Sequence, residues 1–437
     1  MGNHRKGTAL TSDRFPSKLL NWKKVYISRD WVKQIIRDER VQTLFIGIAA
    51  LTVRCVYWLI AFPVNAGDTQ EYLSAAQNVL HGNFSFLIEF PFHALYSLLL
   101  VPGFLLPGGM NWYIALLHIS LSTLSVLLLY LISRQISPDR RVHILVGLVG
   151  TFYPGLLFWL PYILTETAYF FLLLVFVYLL IIALRNPNWK NIVYLTVAAV
   201  FLLASRPVSM GILCISVVIL AAVLMKRAFP RRWALFTGVL VVSGLALLFA
   251  LLSLPNVRQR VLQIPTVSQS LWLSTHIITG ATEEWNLYAN LPPDIAGLTG
   301  TEVWEYKSSY ALNFIKTQPY EYLWMAAGRF FNYWYPWVHP QWSLRHRVFD
   351  AILTISMTIL AIIGLRVAEN KKLPTLLVVL ALTFGLVTAF SQIDPDARYR
   401  VPAEILLIPV ACIGLNNCVL HLGQLLHRQT ANMPSSG

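Results

Sequence analysis

Residues 41–62 read VQTLFIGIAALTVRCVYWLIAF, and the only charge among them is Arg54. A helix needs roughly 20 predominantly apolar residues to cross a bilayer, so this stretch is long enough and apolar enough to span. The pattern recurs at about 112–133, 142–161, 166–184, 191–205, 208–225, 233–254, 348–367, 373–391 and 401–421. The piece at 94–107 is shorter and runs into Pro107-Gly108-Gly109, which suits an interfacial or re-entrant helix better than a span. Composition agrees. Of 437 residues, 56% are hydrophobic and only 12% charged, with mean hydropathy +0.59. A soluble protein carries about 25% charged residues, so this chain cannot coat several soluble domains with polar surface. Disordered chains, fibres and disulfide scaffolds are excluded on the same ground. The expected fold is all-α, a polytopic integral membrane bundle of about 10 transmembrane helices.

The net charge of +14 comes from short basic runs between apolar stretches. That distribution marks cytoplasmic loops facing anionic lipid rather than a nucleic-acid-reading face. Arg134 with Arg140-Arg141, Arg185 with Lys190, Lys226-Arg227 with Arg231-Arg232, and Arg366 with Lys371-Lys372 all fall inside when ten spans have both termini inside. The parity requires 191–225 to be two short helices split at Ser205-Arg206-Pro207, where a proline and a charge interrupt the run. Residues 1–40 form a basic cytoplasmic tail whose Trp22 and Trp31 suit an interfacial helix. Residues 41–421 form the transmembrane domain, and 422–437 a second cytoplasmic tail. Two long segments, 63–93 and about 255–347, then lie on the outer face. Cys55, Cys214, Cys412 and Cys418 sit inside apolar stretches without metal-ligand spacing and read as small buried hydrophobes.

The first outer segment opens PVNAGDTQEY, residues 63–72. A carboxylate just past a span, at Asp68, sits at the membrane–water boundary, where it can be partly desolvated and still meet substrate, as a general base must. Tyr72 lies one helical turn on, and Ala75, Ala76 and Leu80 continue an apolar face up to Gly82. A short surface helix capped by Asp68 fits this pattern. Two readings of Asp68 stand on spacing alone, a helix N-cap and a catalytic group. Arg54 and Arg206 each suit either a partner acid on another helix or a phosphate contact. Glu166 suits substrate binding or an arginine partner. Between Trp304 and Trp342 lie fourteen Phe, Tyr or Trp residues, with Trp334 near their centre. Such rings stack on the apolar faces of sugars or anchor a helix among lipid headgroups.

The string Gly67-Asp68…Tyr72…Ala75-Ala76…Leu80-His81-Gly82, then Pro91…Leu95-Tyr96, resembles the first outer loop of the GT-C glycosyltransferases. Within them it is most similar to the group of protein O-mannosyltransferases and the lipid A aminoarabinose transferase. Tyr153-Pro154 followed by Thr165-Glu166 resembles that family's third span, which ends in an acid on the outer face. Ser205-Arg206-Pro207 resembles its Arg/Lys-Pro break. Asp396-Ala397-Arg398-Tyr399-Arg400-Val401-Pro402 resembles the Arg-Tyr-x-x-Pro element that opens its last span. In that family the first-loop Asp is the catalytic base or an acceptor-orienting carboxylate, which implies Asp68 here. Many members carry two adjacent acids in that loop. Here Gly67 and Thr69 flank Asp68, and Glu71 is the nearest second acid, which weakens a metal-site reading and leaves the acceptor class open.

The resemblance implies an inverting transfer of a monosaccharide from a polyprenyl-phosphate donor to a hydroxyl acceptor on a glycolipid, glycan or protein. The active site would face outward, at the periplasm if the membrane is a bacterial inner membrane. Asp68 would take the acceptor proton, and Arg398, Arg400 and Arg206 would hold the donor phosphate, a role suited to the planar, permanently charged guanidinium. The same Arg-Tyr-Arg run also suits an anchor at the headgroups. Tyr72, Glu166, Tyr399 and Trp334 would shape the substrate site. No cofactor is expected. A divalent metal stays open but has no support in the residues, because a monophosphate donor brings its own leaving group and arginines can neutralise it. Two rivals share the topology: a transporter or lipid flippase, and a lipid-linked glycan polymerase or ligase using a diphosphate donor. A transporter concentrates charged or broken helices near the bilayer midplane, whereas this chain places its polar residues at the outer boundaries.

Overall fold

A computed structural model describes residues 38–84, 94–107, 109–228, 265–275, 298, 301–334, 343–391 and 397–431. The described residues are helical, joined by turns and one isolated β-bridge. In chain order the helices are α1 (Glu39–Ala61), α2 (Thr69–Leu80), α3 (Ala94–Leu100), α4 (Gly109–Ile136), α5 (Arg140–Phe152), α6 (Pro154–Phe158), α7 (Glu166–Arg185) and α8 (Trp189–Leu203). They continue with α9 (Ser209–Ala228), α10 (Pro265–Leu273), α11 (Thr301–Thr317), α12 (Pro319–Trp334), α13 (Leu344–Val367), α14 (Lys372–Ser391) and α15 (Ala397–Ala431). Among the described residues, seven of these (α1, α4, α7, α9, α13, α14 and α15) are long and apolar enough to cross a membrane. This is the architecture of an all-α, multi-pass membrane protein.

The expected spans fare differently. Residues 142–161 are not one helix. The α5 helix stops at Phe152, Tyr153 turns extended at φ −64°, ψ 119°, and Pro154 starts the short α6. The cause is local, since a proline has no N–H to give the helix and disfavours the helical conformation of the residue before it. The 191–205 stretch forms α8, whose 15 residues extend only about 22 Å at 1.5 Å per residue. The 233–254 span, the interfacial helix of the N-terminal tail and the tip of the first outer segment lie outside the described residues. The break at Ser205-Arg206-Pro207 falls between α8 and α9 as expected, and 94–107 is the short α3 followed by a 3₁₀ turn.

The central helix is α15. Val401 through Gly414 are buried on every face, the pattern of a helix surrounded by others. Its closest neighbour is α13. A Cβ built on Gly364 of α13 would come 2.0 Å from the Val410 carbonyl oxygen, and one built on Gly414 of α15 would come 2.1 Å from that of Leu360. The two backbones therefore meet at a pair of glycines, the close approach that small residues permit where apolar burial does not favour protein over lipid. Among the cysteines, only Cys412 is buried; Cys55 and Cys214 are exposed and Cys418 is intermediate, and none is disulfide-bonded. Outward-facing positions on membrane helices are apolar because they meet lipid, so apolar context in the sequence did not imply a core location.

Arg54 was expected beside an acid of another helix or a phosphate. It is fully buried, and among the described residues its guanidinium donates only to neutral groups: Ser122 Oγ at 2.8 Å and the carbonyls of Thr151, Gly150 and Ala50 at 3.1–3.3 Å. Gly150 and Thr151 lie in the last turn of α5, whose unpaired carbonyls carry partial negative charge. The helix end replaces the carboxylate. The structure predicts that Gly364→Ala and Gly414→Ala each destabilise the bundle by about 1–3 kcal/mol, because a backbone carbonyl rather than a mobile side chain meets the added methyl. Thermal unfolding in detergent checks this, with Gly423→Ala as control, where a Cβ meets nothing within 4 Å. Equal melting temperatures for all three variants would contradict the crossing.

Candidate functional site

One end of α1, α4 and α7, the end that carries Asp68, is closed by the two turns that follow α1 and α6. Val64 N–H donates to the Pro161 carbonyl at 2.9 Å, Ile163 N–H donates back to that of Val64 at 3.3 Å, and Val64 pairs with Tyr162 in a parallel bridge. The Thr69 hydroxyl lies 2.8 Å from the Ala66 carbonyl and 3.1 Å from that of Ile163, and it accepts from Ala66 N–H at 3.0 Å. Gly67 has φ +39°, a conformation glycine adopts at least cost. Together these contacts hold the start of α2 against the loop before α7. An apolar cluster of Tyr72, Ala76, Tyr96, Leu100, Ile163 and Leu164 seals the underside.

Asp68 occupies the N-cap position of α2 but makes no side-chain capping bond. It is half-buried, and Oδ2 accepts a long contact, 3.5 Å, from the Tyr72 hydroxyl. Glu71, one helical step away, has its carboxyl raised above the usual range, first by lost hydration and then by the Asp68 charge. Inward of Tyr72, its ring meets Tyr96 edge-on at 5.2 Å. The Tyr96 hydroxyl lies 3.0 Å from His118 Nε2, and His118 Nδ1 lies 2.8 Å from the Leu160 carbonyl. A carbonyl only accepts, so Nδ1 carries the hydrogen, and in the neutral ring Nε2 accepts from Tyr96. A line of polar groups thus runs from Asp68 into the bundle.

Glu166 and Arg206 form a second polar group. Glu166, 1% exposed, is the first residue of α7 and lies 3.3 Å from Arg206 Nη1. The Arg206 guanidinium lies 5.7 Å from the ring centre of Tyr169 and 5.6 Å from that of Tyr399. Tyr399 is held in turn by the Tyr333 hydroxyl, which donates to its carbonyl at 2.8 Å. The residues marked in the sequence therefore fall into two groups, Asp68 and Tyr72 with Tyr96 and His118, and Glu166 and Arg206 with Tyr399; Leu164 and Ala168, on either side of Glu166, pack in the apolar cluster of Tyr72 and Tyr96.

The other marked residues are placed differently. Arg400 was expected at the mouth of the last span with its fork toward a phosphate. It is 1% exposed, with Nε 2.8 Å from Glu404 and Nη2 ion-paired to Asp350. Tyr153 and Thr354 donate to the same Glu404 carboxylate. A guanidinium gripped by two carboxylates serves the protein's own packing. Arg398 lies in the first turn of α15, with its side chain outside the described residues. Trp334 ends α12 and packs on α14, where a Cβ on Gly385 would come 2.8 Å from its Nε1.

The aromatic segment is divided in use. Tyr322 donates to the Phe390 carbonyl at 2.9 Å, and Lys307 lies about 5 Å from the rings of both Trp272 and Trp304. Burial lowers the Lys307 amine below its usual range. Tyr320, Trp324 and Phe331 are 72–87% exposed along the outer face of α12, as interfacial anchors are. Among the described residues, no three of His, Cys, Asp or Glu converge as metal ligands.

Sequence reasoning missed His118, Tyr169 and Lys307. A lone histidine inside an apolar span was the one available signal for the first, while Tyr169 and Lys307 acquire their partners only through tertiary contacts. No protein-family model matches the chain. No curated protein matches it either.

The buried Glu166–Arg206 pair yields a stability prediction. Glu166→Gln leaves the guanidinium without its carboxylate and should cost about 3 kcal/mol. The double change Glu166→Gln with Arg206→Met should recover much of that loss. A double-mutant cycle by thermal unfolding in detergent measures the coupling, and additive effects would mean that the contact carries no energy.

Proposed function

We propose that this chain is an inverting, GT-C-like glycosyltransferase of the bacterial inner membrane, with about ten spans and its site on the periplasmic side. It moves a monosaccharide from a polyprenyl phosphate to an acceptor hydroxyl. The observation that carries the reading is the state of Asp68, a half-buried carboxylate at the outer end of the first span that occupies an N-cap position without capping. The Tyr72 hydroxyl orients it, and Arg206, walled by Tyr169 and Tyr399 and paired with Glu166 at the start of α7, supplies a cation.

The chemistry follows from these groups. The acceptor oxygen attacks the anomeric carbon from the face opposite the phosphate, and its proton passes to Asp68. The bond from the anomeric carbon to the phosphate oxygen breaks, with its electron pair leaving on the polyprenyl phosphate. That growing negative charge needs fixed positive charge beside it. Arg206 fits this need. Arg400 acts one step back. By fixing α15 through Asp350 and Glu404 it sets where Arg398 and Tyr399 stand, and it is a positioning residue rather than a phosphate ligand. The lipid tail stays in the bilayer while the sugar reaches the boundary where Asp68 sits.

Proteoliposomes supplied with radiolabelled polyprenyl-phosphate sugars and a membrane glycolipid extract test this reading. Wild type should transfer label, and Asp68→Asn should lower turnover about 10²- to 10⁴-fold while donor binding persists. Arg206→Gln should weaken donor use more than acceptor use. Turnover of Asp68→Asn within threefold of wild type removes Asp68 as the base.

A further inference from the structure

His118 lies in the first half of α4, fully buried, and both of its ring nitrogens bond other elements. Nδ1 donates at 2.8 Å to the Leu160 carbonyl, in the turn before α7, and Nε2 accepts at 3.0 Å from the Tyr96 hydroxyl of α3. The ring also meets Trp58 of α1 edge-on, with centres 6.5 Å apart. The two hydrogen-bond partners frame Asp68. The turn that holds Leu160 pairs with Val64, and its Ile163 carbonyl lies 3.1 Å from the Thr69 hydroxyl. The Tyr96 ring supports Tyr72, whose hydroxyl meets Asp68. Tyr113 of α4 donates to the Leu99 carbonyl at 2.6 Å, so α3 is tied to α4 at two points.

A histidine inside a membrane-spanning helix is costly to hold. A polar group that only satisfied itself could bond within its own helix, as the Ser125 hydroxyl does with the Leu121 carbonyl. His118 instead bonds two segments far from it in sequence, and both bear on one carboxylate. Edge-on aromatic contacts are directional, so the tilt of the Tyr96 ring sets that of Tyr72. At 3.5 Å the contact from Tyr72 to Asp68 is at the limit of a hydrogen bond, and a small tilt removes it. We propose that His118 and Tyr96 are positioning residues for Asp68. One neutral imidazole fixes α3 and the turn before α7 to each other, and so aims the Tyr72 hydroxyl at the carboxylate that takes the acceptor proton. The catalytic consequence rests on the glycosyl-transfer reading; the aiming of Tyr72 does not.

Two measurements on the full chain in proteoliposomes test this. The first is magnetic resonance with isotope-labelled tyrosine, in which the Tyr72 Cζ signal is assigned by its loss in Tyr72→Phe. Asp68→Asn should shift that signal. The shift should vanish in a His118→Leu background and persist with His118→Gln, whose amide can accept from Tyr96 and donate to Leu160. It should also persist with His143→Leu, a buried histidine of α5 bonded to the Ser137 carbonyl past the far end of α4. The second is the transfer assay. His118→Leu should lower kcat about 10- to 100-fold with donor KM changed less than about twofold, the cost of misplacing a catalytic group by about 1 Å. His118→Gln should recover most of that loss. Tyr96→Phe deletes only a hydroxyl and should follow His118→Leu in both measurements, so it carries the test if His118→Leu does not fold. The proposal is overturned if Asp68→Asn shifts Tyr72 equally in the wild-type and Tyr96→Phe backgrounds, if His118→Gln fares no better than His118→Leu, or if His143→Leu loses as much turnover. A wild type that transfers no sugar, with the Tyr72 shifts as expected, would remove the glycosyl-transfer reading and keep the aiming of Tyr72.

Discussion

A charge buried inside a membrane bundle must bring its own partners, and Arg400 at the head of the central helix makes that demand most strongly. Its guanidinium reaches Glu404 one turn along α15 and Asp350 on α13. Glu404 also receives the hydroxyls of Thr354 on α13 and of Tyr153 at the end of α5. Removing one member of such a buried set leaves an uncompensated charge, which costs far more than the set contributes over apolar packing. The set therefore acts on register more than on net stability. Only one rotation of α15 about its axis keeps the three partners on other elements, Asp350, Thr354 and Tyr153, in reach, and that rotation turns Tyr399 toward Arg206.

The break after α5 follows from the same demand. Tyr153 can offer its hydroxyl to Glu404 because the chain leaves the helix there, and Pro154 forces the departure. The freed end of α5 then serves a second buried cation. The carbonyls of Gly150 and Thr151, which a continuing helix would have used, accept from Arg54. One proline thus supplies acceptors to Arg54 on α1 and a donor to Glu404, the carboxylate that holds Arg400, on α15. Arg54 meets only dipoles, whereas Arg400 meets full charges, and each arrangement answers the cost of holding a guanidinium away from water.

These couplings explain which parts of the molecule were legible in the sequence. The span at 41–62, the short piece at 94–107 and the split at Ser205-Arg206-Pro207 depend on hydropathy and on proline, both local properties. The surface helix after Asp68 was also legible, because Tyr72, Ala75 and Ala76 fall on one face. Hydropathy could not reveal that 142–161 breaks at Tyr153, since the apolar run continues through the break and only Pro154 marks it. Partner choice was the least legible. An arginine in a span calls for an acceptor, but whether a carboxylate or a helix end answers depends on which helix packs beside it. Arg400 looked outward because it follows Asp396 and Arg398 in a polar run, yet it lies one position from Tyr399 on a helix, and one position is a turn of 100°.

That rotation of 100° separates the jobs of two consecutive residues. Arg400 faces inward and is consumed by its carboxylates, while Tyr399 faces Arg206 and forms one wall of its pocket. A guanidinium available to a ligand needs a partner that holds it without saturating it. Glu166 meets Arg206 through Nη1 at 3.3 Å, a looser contact than the 2.8 Å bond from Arg400 to Glu404. Glu166 also stands at the N-terminus of α7, where the helix dipole shares its negative charge. Aromatic walls hold the cation by its face and leave the planar edge of the fork to other acceptors. The difference between the two arginines is therefore set by how many full negative charges each one meets among the described residues, and on that measure Arg206 keeps more of its hydrogen-bonding capacity than Arg400.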